Sequence, residues 1–290
     1  MEERIASPAK TIEILQSNTF QFLKKYGQNF LIDLHVLEKI IRAANIEPED
    51  VCVEIGPGIG SLTQALAERA EQVIAVEIDA RLIPILEKNL QDYPNVTLIH
   101  QDFLKLDLKG LLKEMNVNRP VKVIANLPYY ITTPIIMGLF ESGIPLAGMT
   151  VMVQEEVARR MQAGPGSKDY GALSLAVSYY AEASIAAFVP KNCFMPRPNV
   201  GSAVIQLTSH EPKPVCARNE TLLFALIKAA FGQRRKTLLN SVSNSPELSF
   251  SKERVQRALQ KLSLPEQIRG EALTLKQFAA LADELDAQED

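Results

Sequence analysis

Apolar runs alternate with amphipathic stretches from residue 51 to about residue 130 of the chain. Each run is short and rich in β-branched residues, and helical periodicity follows the first two runs, from Ser61 and over 80–90. Strands that are apolar on both faces are typical of a parallel sheet covered by helices. The pattern predicts an α/β fold with a doubly wound sheet, whose first strands are expected at 51–55, 73–77, 96–100 and 121–125.

The strand pattern continues to about residue 208 and then changes to a helical one. Further strands are expected at 149–154, 183–188 and 203–207. The last two are separated by the proline-rich loop Pro190–Pro198 and can pair as an antiparallel hairpin at the sheet edge. After the linker Ser209–Pro214, helices are expected at 221–231, 237–242, 252–262 and 275–285. We therefore predict two domains, an α/β domain at 1–208 and a small all-helical domain at 209–290.

Composition and cysteine content narrow the class of protein. A hydrophobic fraction of 47% over 290 residues is ordinary for a soluble globular protein and allows a substantial core. Cys52, Cys193 and Cys216 lie far apart without a Cys-x-x-Cys pair, which argues against a disulfide framework or a structural zinc site. The sequence shows neither a secretion signal nor an apolar stretch long enough to span a membrane. We expect a cytoplasmic protein with no membrane partner.

The net charge of −3 conceals a local excess of cations. Residues 209–290 contain 12 Lys and Arg against 11 Asp and Glu, but five of those acids fall in the last eight residues. The segment 209–282 alone is therefore +6. A local basic face matters more for phosphate binding than the overall charge. A solvated helix face followed by an acidic tail is the alternative interpretation.

Three features follow successive predicted strands and indicate a ligand site. A tight glycine turn, Gly56-Pro57-Gly58-Ile59-Gly60, follows the first strand, and its spacing differs from the G-x-G-x-x-G turn that favours a pyrophosphate. Glu77 ends the second strand, where a carboxylate can accept hydrogen bonds from ribose hydroxyls, and Asp102 follows the third. Each feature alone is weak, but ligands of open α/β sheets bind at the carboxyl ends of strands, where all three lie.

The residues Asn126-Leu127-Pro128-Tyr129, after the fourth strand, bring together an amide, a carbonyl and an aromatic ring. Pro128 fixes its own φ and pushes Leu127 into an extended conformation, so the Leu127 carbonyl and the Asn126 side chain can be directed at one point. Two such acceptors suit the exocyclic amine of a nucleobase, and Tyr129 can stack on the ring that carries it. A strand followed by a proline turn is the alternative interpretation.

These residues resemble the S-adenosylmethionine-dependent methyltransferases of the Rossmann-like class, specifically the ribosomal RNA adenine dimethyltransferases. The same resemblance extends to Gly27–Asp33, Pro196–Ser202 and Phe231–Leu238, so that it spans about residues 20–275. Within the family, the glycine turn and the basic C-terminal helix look most like the small-subunit enzyme. The antibiotic-resistance enzymes that act on large-subunit RNA are the nearer alternative.

The resemblance implies a cofactor, a substrate and a set of contacts. S-adenosylmethionine would be the methyl donor and S-adenosylhomocysteine the product, with no metal. The reaction would be N6,N6-dimethylation of two adjacent adenosines near the 3′ end of small-subunit (16S) ribosomal RNA, during ribosome biogenesis, by a monomer whose partner is the small ribosomal subunit. Glu77 would bind the cofactor's ribose and Asp102 its adenine. The residues expected to contact the cofactor are Asn29, Leu31, Gly56, Gly58, Glu77, Asp102 and Asn126.

Catalysis is expected from orientation of the poorly nucleophilic amine toward the methyl group. This role falls to Asn126, Leu127, Pro128 and Tyr129. Phe194 is the candidate for the opposite face of the target base, although aromatic residues in such loops also pack as plugs on the core.

Two further groups of residues bear on RNA and metal binding. Arg234, Arg235 and Lys236 cannot all share one helix face, and we predict that they contact phosphates. Lys24 and Lys25 can extend the same RNA-facing edge, with a solvated helix end as the alternative. No metal site is predicted, because the histidines show no ligand spacing; they are His35, His100 and His210.

Two other functions stay open at this point. A methyltransferase acting on DNA adenine or on a small molecule would use the same cofactor site but would not need basic C-terminal helices. A non-enzymatic RNA-binding assembly or transcription factor could keep the fold. The intact glycine turn and the intact segment 126–129 weigh against this second alternative.

Overall fold

The structure is a computed structural model that describes residues 4–23, 26–233 and 235–287. The described residues form two compact units. The larger unit runs to Ala158 and resumes over Ser184–Ser209, and the smaller one contains Arg159–Ala183 and the chain from His210 onward.

Nine strands are found among the described residues. They are β1 (Phe30–Leu31), β2 (Val51–Ile55), β3 (Gln72–Glu77), β4 (Val96–His100), β5 (Val121–Asn126), β6 (Leu146–Gln154), β7 (Ala181–Val189), β8 (Phe194–Met195) and β9 (Ser202–Ser209). Seven of them form one sheet in the order β4-β3-β2-β5-β6-β9-β7, and β1 pairs with β8 in a separate antiparallel ribbon. The predicted doubly wound α/β fold is confirmed.

The strand order creates a crevice beside β2. Strands β2 to β6 are parallel, and β9 is antiparallel to β6. After β2 the chain builds outward through β3 and β4 and then returns to the other side of β2 with β5. Such a reversal opens a crevice at the carboxyl ends of the strands, where α/β proteins bind ligands.

The helices of the larger unit begin at local signals in the sequence. They are α1 (Pro8–Ser17), α2 (Leu34–Ala44), α3 (Ser61–Ala67), α4 (Ile83–Asn89), α5 (Leu108–Glu114), α6 (Thr132–Glu141) and α7 (Glu155–Gln162), which ends in the smaller unit. The Asp33 side chain caps α2 by accepting a hydrogen bond from the Val36 N–H at 3.0 Å. The buried face of α2 belongs to the same core as α3 and residues of β2, β3, β5 and β6, namely Cys52, Val73, Ile124 and Met152.

The smaller unit is built from helices around one apolar core. They are α8 (Ala172–Tyr180), α9 (Glu220–Gly232), α10 (Leu238–Ser243), α11 (Lys252–Lys261) and α12 (Leu275–Ala287). The fully buried Phe278 and Tyr179 are among the largest side chains of this core. A small helical C-terminal unit is thus present as predicted. Residues 159–183, which the sequence assigned to the α/β domain, pack in this helical unit instead.

In the described part of the chain, no helix is long and apolar enough to cross a membrane.

Candidate active site

A pocket lies at the carboxyl ends of β2, β3 and β5 and encloses about 820 Å³, including space open to solvent. The pocket brings together most of the residues predicted from the sequence. Those that line it are Asn29, Leu31, Gly56, Gly58, Glu77, Asn126, Leu127, Pro128 and Tyr129.

The glycine turn after β2 gives the pocket one open wall. Gly56 and Gly58 have φ values of +70° and +62°, a region that side chains with a Cβ rarely adopt. A Cβ on Gly58 would lie 2.9 Å from the Phe30 ring, so this position has no room for a side chain. A Cβ on Gly56 would meet no described atom within 4 Å. The turn therefore leaves free space beside the Gly56 backbone, where a ligand can approach.

Glu77 is held rigidly at the end of β3. Its side chain is 5% exposed and accepts hydrogen bonds from the backbone N–H groups of Gly58 at 3.1 Å and Asp79 at 2.8 Å. Burial raises the pKa of the Glu77 carboxyl, and the two N–H groups oppose the rise. Both oxygens keep lone pairs, so the carboxylate can still accept hydrogen bonds from a ligand.

Glu54, the acid that precedes the glycine turn, is a further acid of the pocket, and the sequence analysis gave it no role of its own. It belongs to β2, lines the pocket and is only 1% exposed. Burial, with the nearby Glu77 carboxylate, raises the pKa of Glu54 to about 8. Among the described residues its Oε2 atom has no hydrogen-bond partner. The available signal was an acid inside an otherwise apolar run, Val51-Cys52-Val53-Glu54-Ile55.

The N-terminal segment Gly27–Leu31 closes one side of the pocket and contacts the motif after β5. The Asn126 Nδ2 group donates to the Asn29 carbonyl at 2.8 Å. The Asn29 side chain in turn donates to the Gly27 carbonyl at 2.9 Å. Because the amide N–H of Asn126 is engaged in this way, its Oδ1 atom is left as a hydrogen-bond acceptor.

The rest of this motif also has a defined geometry. The Leu127 N–H donates to the Met152 carbonyl at 3.0 Å, whereas the Leu127 carbonyl accepts no hydrogen bond from any described residue. The Tyr129 ring is half-buried, and its hydroxyl lies 2.7 Å from the Ser202 hydroxyl. The predicted amide, free carbonyl and aromatic ring are thus found together at the end of β5.

Two predicted site residues do not line the pocket. Asp102 lies just beyond β4, where its side chain accepts from the Leu104 N–H at 3.1 Å and pairs with Lys105 at 3.8 Å. Phe194 is 3% exposed and packs in the same core as Leu31. The two residues are paired in the ribbon of β1 and β8. A side chain so deeply buried has no face free for a base, so the core-plug interpretation describes Phe194.

The predicted RNA-contacting cations are described only in part. Arg235 and Lys236 are exposed and form no salt bridge with another described residue. Arg234, Lys24 and Lys25 lie outside the described residues. The described residues contain no cluster of three or more His, Cys, Asp or Glu side chains that could hold a metal ion.

Known proteins resemble the chain over nearly its whole length. The family model "Ribosomal RNA adenine dimethylase" matches residues 19–286. The protein "Ribosomal RNA small subunit methyltransferase A" of Lachnoclostridium phytofermentans is 62% identical over 283 residues, which cover 97% of this chain and 98% of that relative. The protein of the same name from Alkaliphilus metalliredigens is 50% identical over 287 residues, which cover 99% of this chain and all of that relative.

Solved structures show the same fold. A dimethyladenosine transferase from Plasmodium falciparum superposes with a TM-score of 0.72 at 27% identity, covering 87% of this chain and 95% of that chain. The 23S rRNA methyltransferase ErmE gives a TM-score of 0.69 at 25% identity, covering 89% of this chain and all of that chain. Together with the family match, these similarities confirm the predicted family. The chain belongs to the ribosomal RNA adenine dimethylase family.

Proposed function

We propose that the chain transfers methyl groups from S-adenosylmethionine to N6 of two adjacent adenosines near the 3′ end of small-subunit (16S) ribosomal RNA. The observation that supports this best is the fixed Asn126 amide, which the Asn29 carbonyl holds next to Leu127, whose own carbonyl accepts no hydrogen bond from the described residues. Two neighbouring acceptors that line one pocket match an exocyclic amine. The curated relatives named above carry a small-subunit methyltransferase name, which favours this substrate over large-subunit RNA.

The pocket residues fit S-adenosylmethionine, which supplies an electrophilic methyl group on a positively charged sulfur when it is bound. Glu54 and Glu77 give the pocket buried acidic groups, and the Oε2 atom of Glu54, which has no partner among the described residues, can accept a hydrogen bond from an ammonium group. The open space beside Gly56 admits the ligand close to the backbone. We assign Glu77 to the ribose hydroxyls, and Asn29 and Leu31 to contacts from the N-terminal segment.

We assign Asp102 to the adenine end of the cofactor, although this residue does not line the pocket. It follows β4, and the Gln101 N–H donates to the Glu77 carbonyl at 3.0 Å, so the two acids lie at neighbouring strand ends. Its Oδ1 atom already accepts one hydrogen bond from the Leu104 N–H. A carboxylate has several lone pairs, so an adenine amino group can still be accepted.

The chain's own residues would act mainly by orientation. The N6 amine is a poor nucleophile because its lone pair is delocalised into the ring. Asn126 Oδ1 and the Leu127 carbonyl can accept its two N–H groups, which directs the lone pair at the methyl carbon and stabilises the positive charge that develops on nitrogen. Tyr129 would stack on the base. After the transfer the nitrogen is strongly acidic, and its proton can pass to water.

The smaller unit is proposed to contact the ribosomal RNA. Its cations Arg235 and Lys236 are exposed and available to phosphates, and the segment 209–282 carries a net charge of +6. In this proposal, the larger unit is the catalytic domain and the smaller unit the RNA-binding one. A cytoplasmic monomer acting on the small subunit during ribosome biogenesis is the corresponding setting.

The proposal is tested by supplying labelled S-adenosylmethionine and small ribosomal subunits that lack the modification, with large subunits, naked RNA and DNA as parallel substrates. We expect dimethyladenosine in the small subunit, identified by mass spectrometry of the nucleosides. Label in the large subunit or in DNA alone would contradict the proposed substrate. A protein that binds the cofactor yet labels none of these substrates would instead fit a non-enzymatic assembly factor.

Asn126→Ala tests the mechanism in the same assay. We expect weaker S-adenosylhomocysteine binding to be the smaller effect, because the acids and the glycine turn are intact, while turnover falls by roughly 100-fold or more, as for loss of one oriented polar group in other enzymes. Glu77→Ala is the matched variant, and its primary defect should be the loss of cofactor binding. Wild-type turnover in Asn126→Ala would rule out the proposed role of this amide.

A further inference from the structure

We propose that Ser202 is a positioning residue for the methyl transfer, because its hydroxyl holds the Tyr129 ring in the plane on which the target adenine stacks. The two hydroxyl oxygens lie 2.7 Å apart. Ser202 is fully buried and Tyr129 is half-buried. The inference rests on the proposed function, in which Tyr129 contacts the base and Ser202 acts only through Tyr129.

The sheet brings these two residues together although 73 positions separate them in the sequence. Strand β6 lies between β5 and β9. The Leu127 N–H bonds to Met152 of β6, which places the motif after β5 beside the end of that strand. On its other side, Gln154 of β6 is in register with Ser202, the first residue of β9. The end of β6 therefore fixes both partners of the hydrogen bond.

The hydrogen bond to Ser202 restrains the orientation of the Tyr129 ring. The acceptors Asn126 and Leu127 define where the amine nitrogen sits, whereas the plane of the base follows the plane of the ring beneath it. Tyr129 lies in a turn after β5, and its side chain has two rotatable bonds. A hydrogen bond at the far end of the ring restricts both. Loss of the bond should let the base tilt, and misorientation of reacting groups lowers the rate more than the affinity.

Dimethylation makes the effect of such a tilt visible in the products. The second transfer starts from a monomethylated nitrogen, which is bulkier than the amine and keeps only one N–H. With a single N–H left for the two acceptors, the plane of the base depends more on the ring. A loosened Tyr129 should therefore slow the second transfer more than the first, and monomethyladenosine should accumulate.

Ser202→Ala in the full-length chain tests this, with small subunits that lack the modification as substrate. We expect kcat to fall by up to about tenfold, the size of one net hydrogen bond, while the KM for subunits and the affinity for S-adenosylhomocysteine stay within about twofold. The fraction of monomethyladenosine should rise, and Ser202→Thr, which keeps a hydroxyl, should restore both the rate and the product ratio.

Tyr129→Phe removes the same bond without changing the core around Ser202. It should reproduce the Ser202→Ala defect, and the double variant should be no worse than either single one. The control is Ser174→Ala, which removes a similarly buried hydroxyl that donates to the Arg160 carbonyl and should leave the product ratio unchanged.

Wild-type rates and product ratios in Ser202→Ala and Tyr129→Phe would overturn the inference, as would losses that multiply in the double variant. A failure of the wild-type protein to make dimethyladenosine would overturn the proposed function itself. The two failures are therefore distinguishable in one experiment.

Discussion

Glu54 and Glu77 place two carboxyl groups out of water in the same pocket, with exposures of 1% and 5%. Burial raises the pKa of both groups, and mutual repulsion contributes at Glu54. A buried acid that must lose its proton weakens the folded state unless a cation or a hydrogen-bond donor compensates. A ligand with an ammonium group and a positively charged sulfur would supply that compensation. The two buried acids therefore lower the stability of the folded chain while the pocket is empty.

Glu54→Gln should separate stability from cofactor binding. The pKa of Glu54 is near 4.5 in the unfolded chain and about 8 in the folded chain. Between these two pH values the carboxyl is ionised in the unfolded chain and protonated in the folded one. The free energy of unfolding therefore falls as the pH rises through this range. We expect the variant to match wild type near pH 4 and to exceed it at pH 8, by about 2–4 kcal/mol in urea unfolding.

The same variant should bind S-adenosylmethionine more weakly, because an amide cannot pair with the ammonium group. Wild-type affinity should rise with pH through about 8 as Glu54 ionises, and this rise should be absent in Glu54→Gln. The exposed acid Glu87 provides the control, since Glu87→Gln should change neither quantity. Equal stability of wild type and Glu54→Gln at pH 8 would contradict the electrostatic argument.

At the level of elements, the turn between β2 and α3 depends on close contact with β1. Gly58 combines a positive φ with a position where a Cβ would lie 2.9 Å from the Phe30 ring. The ring is itself held among Phe20 and Phe22, at centroid distances of 5.9 and 5.6 Å, so it cannot easily yield. This turn therefore needs glycine for two independent reasons.

Gly58→Ala should lower the free energy of unfolding by about 1–3 kcal/mol and weaken cofactor binding. Gly138→Ala is the matched control, because Gly138 lies on the exposed face of α6 with no described atom within 4 Å of the added Cβ. In a helix this change should stabilise by roughly 0.5–1 kcal/mol. Denaturant unfolding of both variants measures the difference, and a Gly58→Ala protein as stable as wild type would refute the steric argument.

Elements with a strong local pattern could be predicted from the sequence, and their contacts could not. The predicted C-terminal helices agree with the structure within two residues at each end, since capping residues such as Asn219 and Ser251 mark their starts. The carboxyl-end site also follows from strand order. The burial of Phe194 could not be predicted, because it depends on the pairing of β1 with β8, which are 2 residues each and leave no periodicity to read.

At the scale of the whole molecule, each of the two units is built from two separate segments of the chain. The fully buried Tyr179 and the half-buried Phe224 have ring centroids 5.2 Å apart, and the Tyr170 hydroxyl donates to the Leu273 carbonyl at 2.7 Å. Residues 159–183 thereby join helices that follow much later. The sequence pattern predicts no element within 159–182 and groups this segment with the strands on either side of it, because neighbours in the chain do not reveal which core a segment enters.

The smaller unit should contribute binding energy that depends on salt. Arg235→Gln with Lys236→Gln should weaken binding to small subunits and lower the slope of log affinity against log salt by about one for each phosphate that is no longer neutralised. Lys261→Gln is the control, because that lysine already pairs with Glu284 at 2.7 Å. Binding is measured by sedimentation at several salt concentrations. An unchanged slope in the double variant would show that these two cations do not contact the RNA.

In the proposed function, the hydrogen bond between Asn126 and the Asn29 carbonyl would link binding of the methyl donor to binding of the methyl acceptor. A ligand that steadies residues 27–31 also steadies the amide that receives the target base. By reciprocity, the factor by which the cofactor raises affinity for RNA equals the factor by which RNA raises affinity for the cofactor. A spent cofactor that still contacts this segment would hold the RNA more tightly and be held more tightly by it, so exchange of that cofactor between the two transfers would lose this coupling energy.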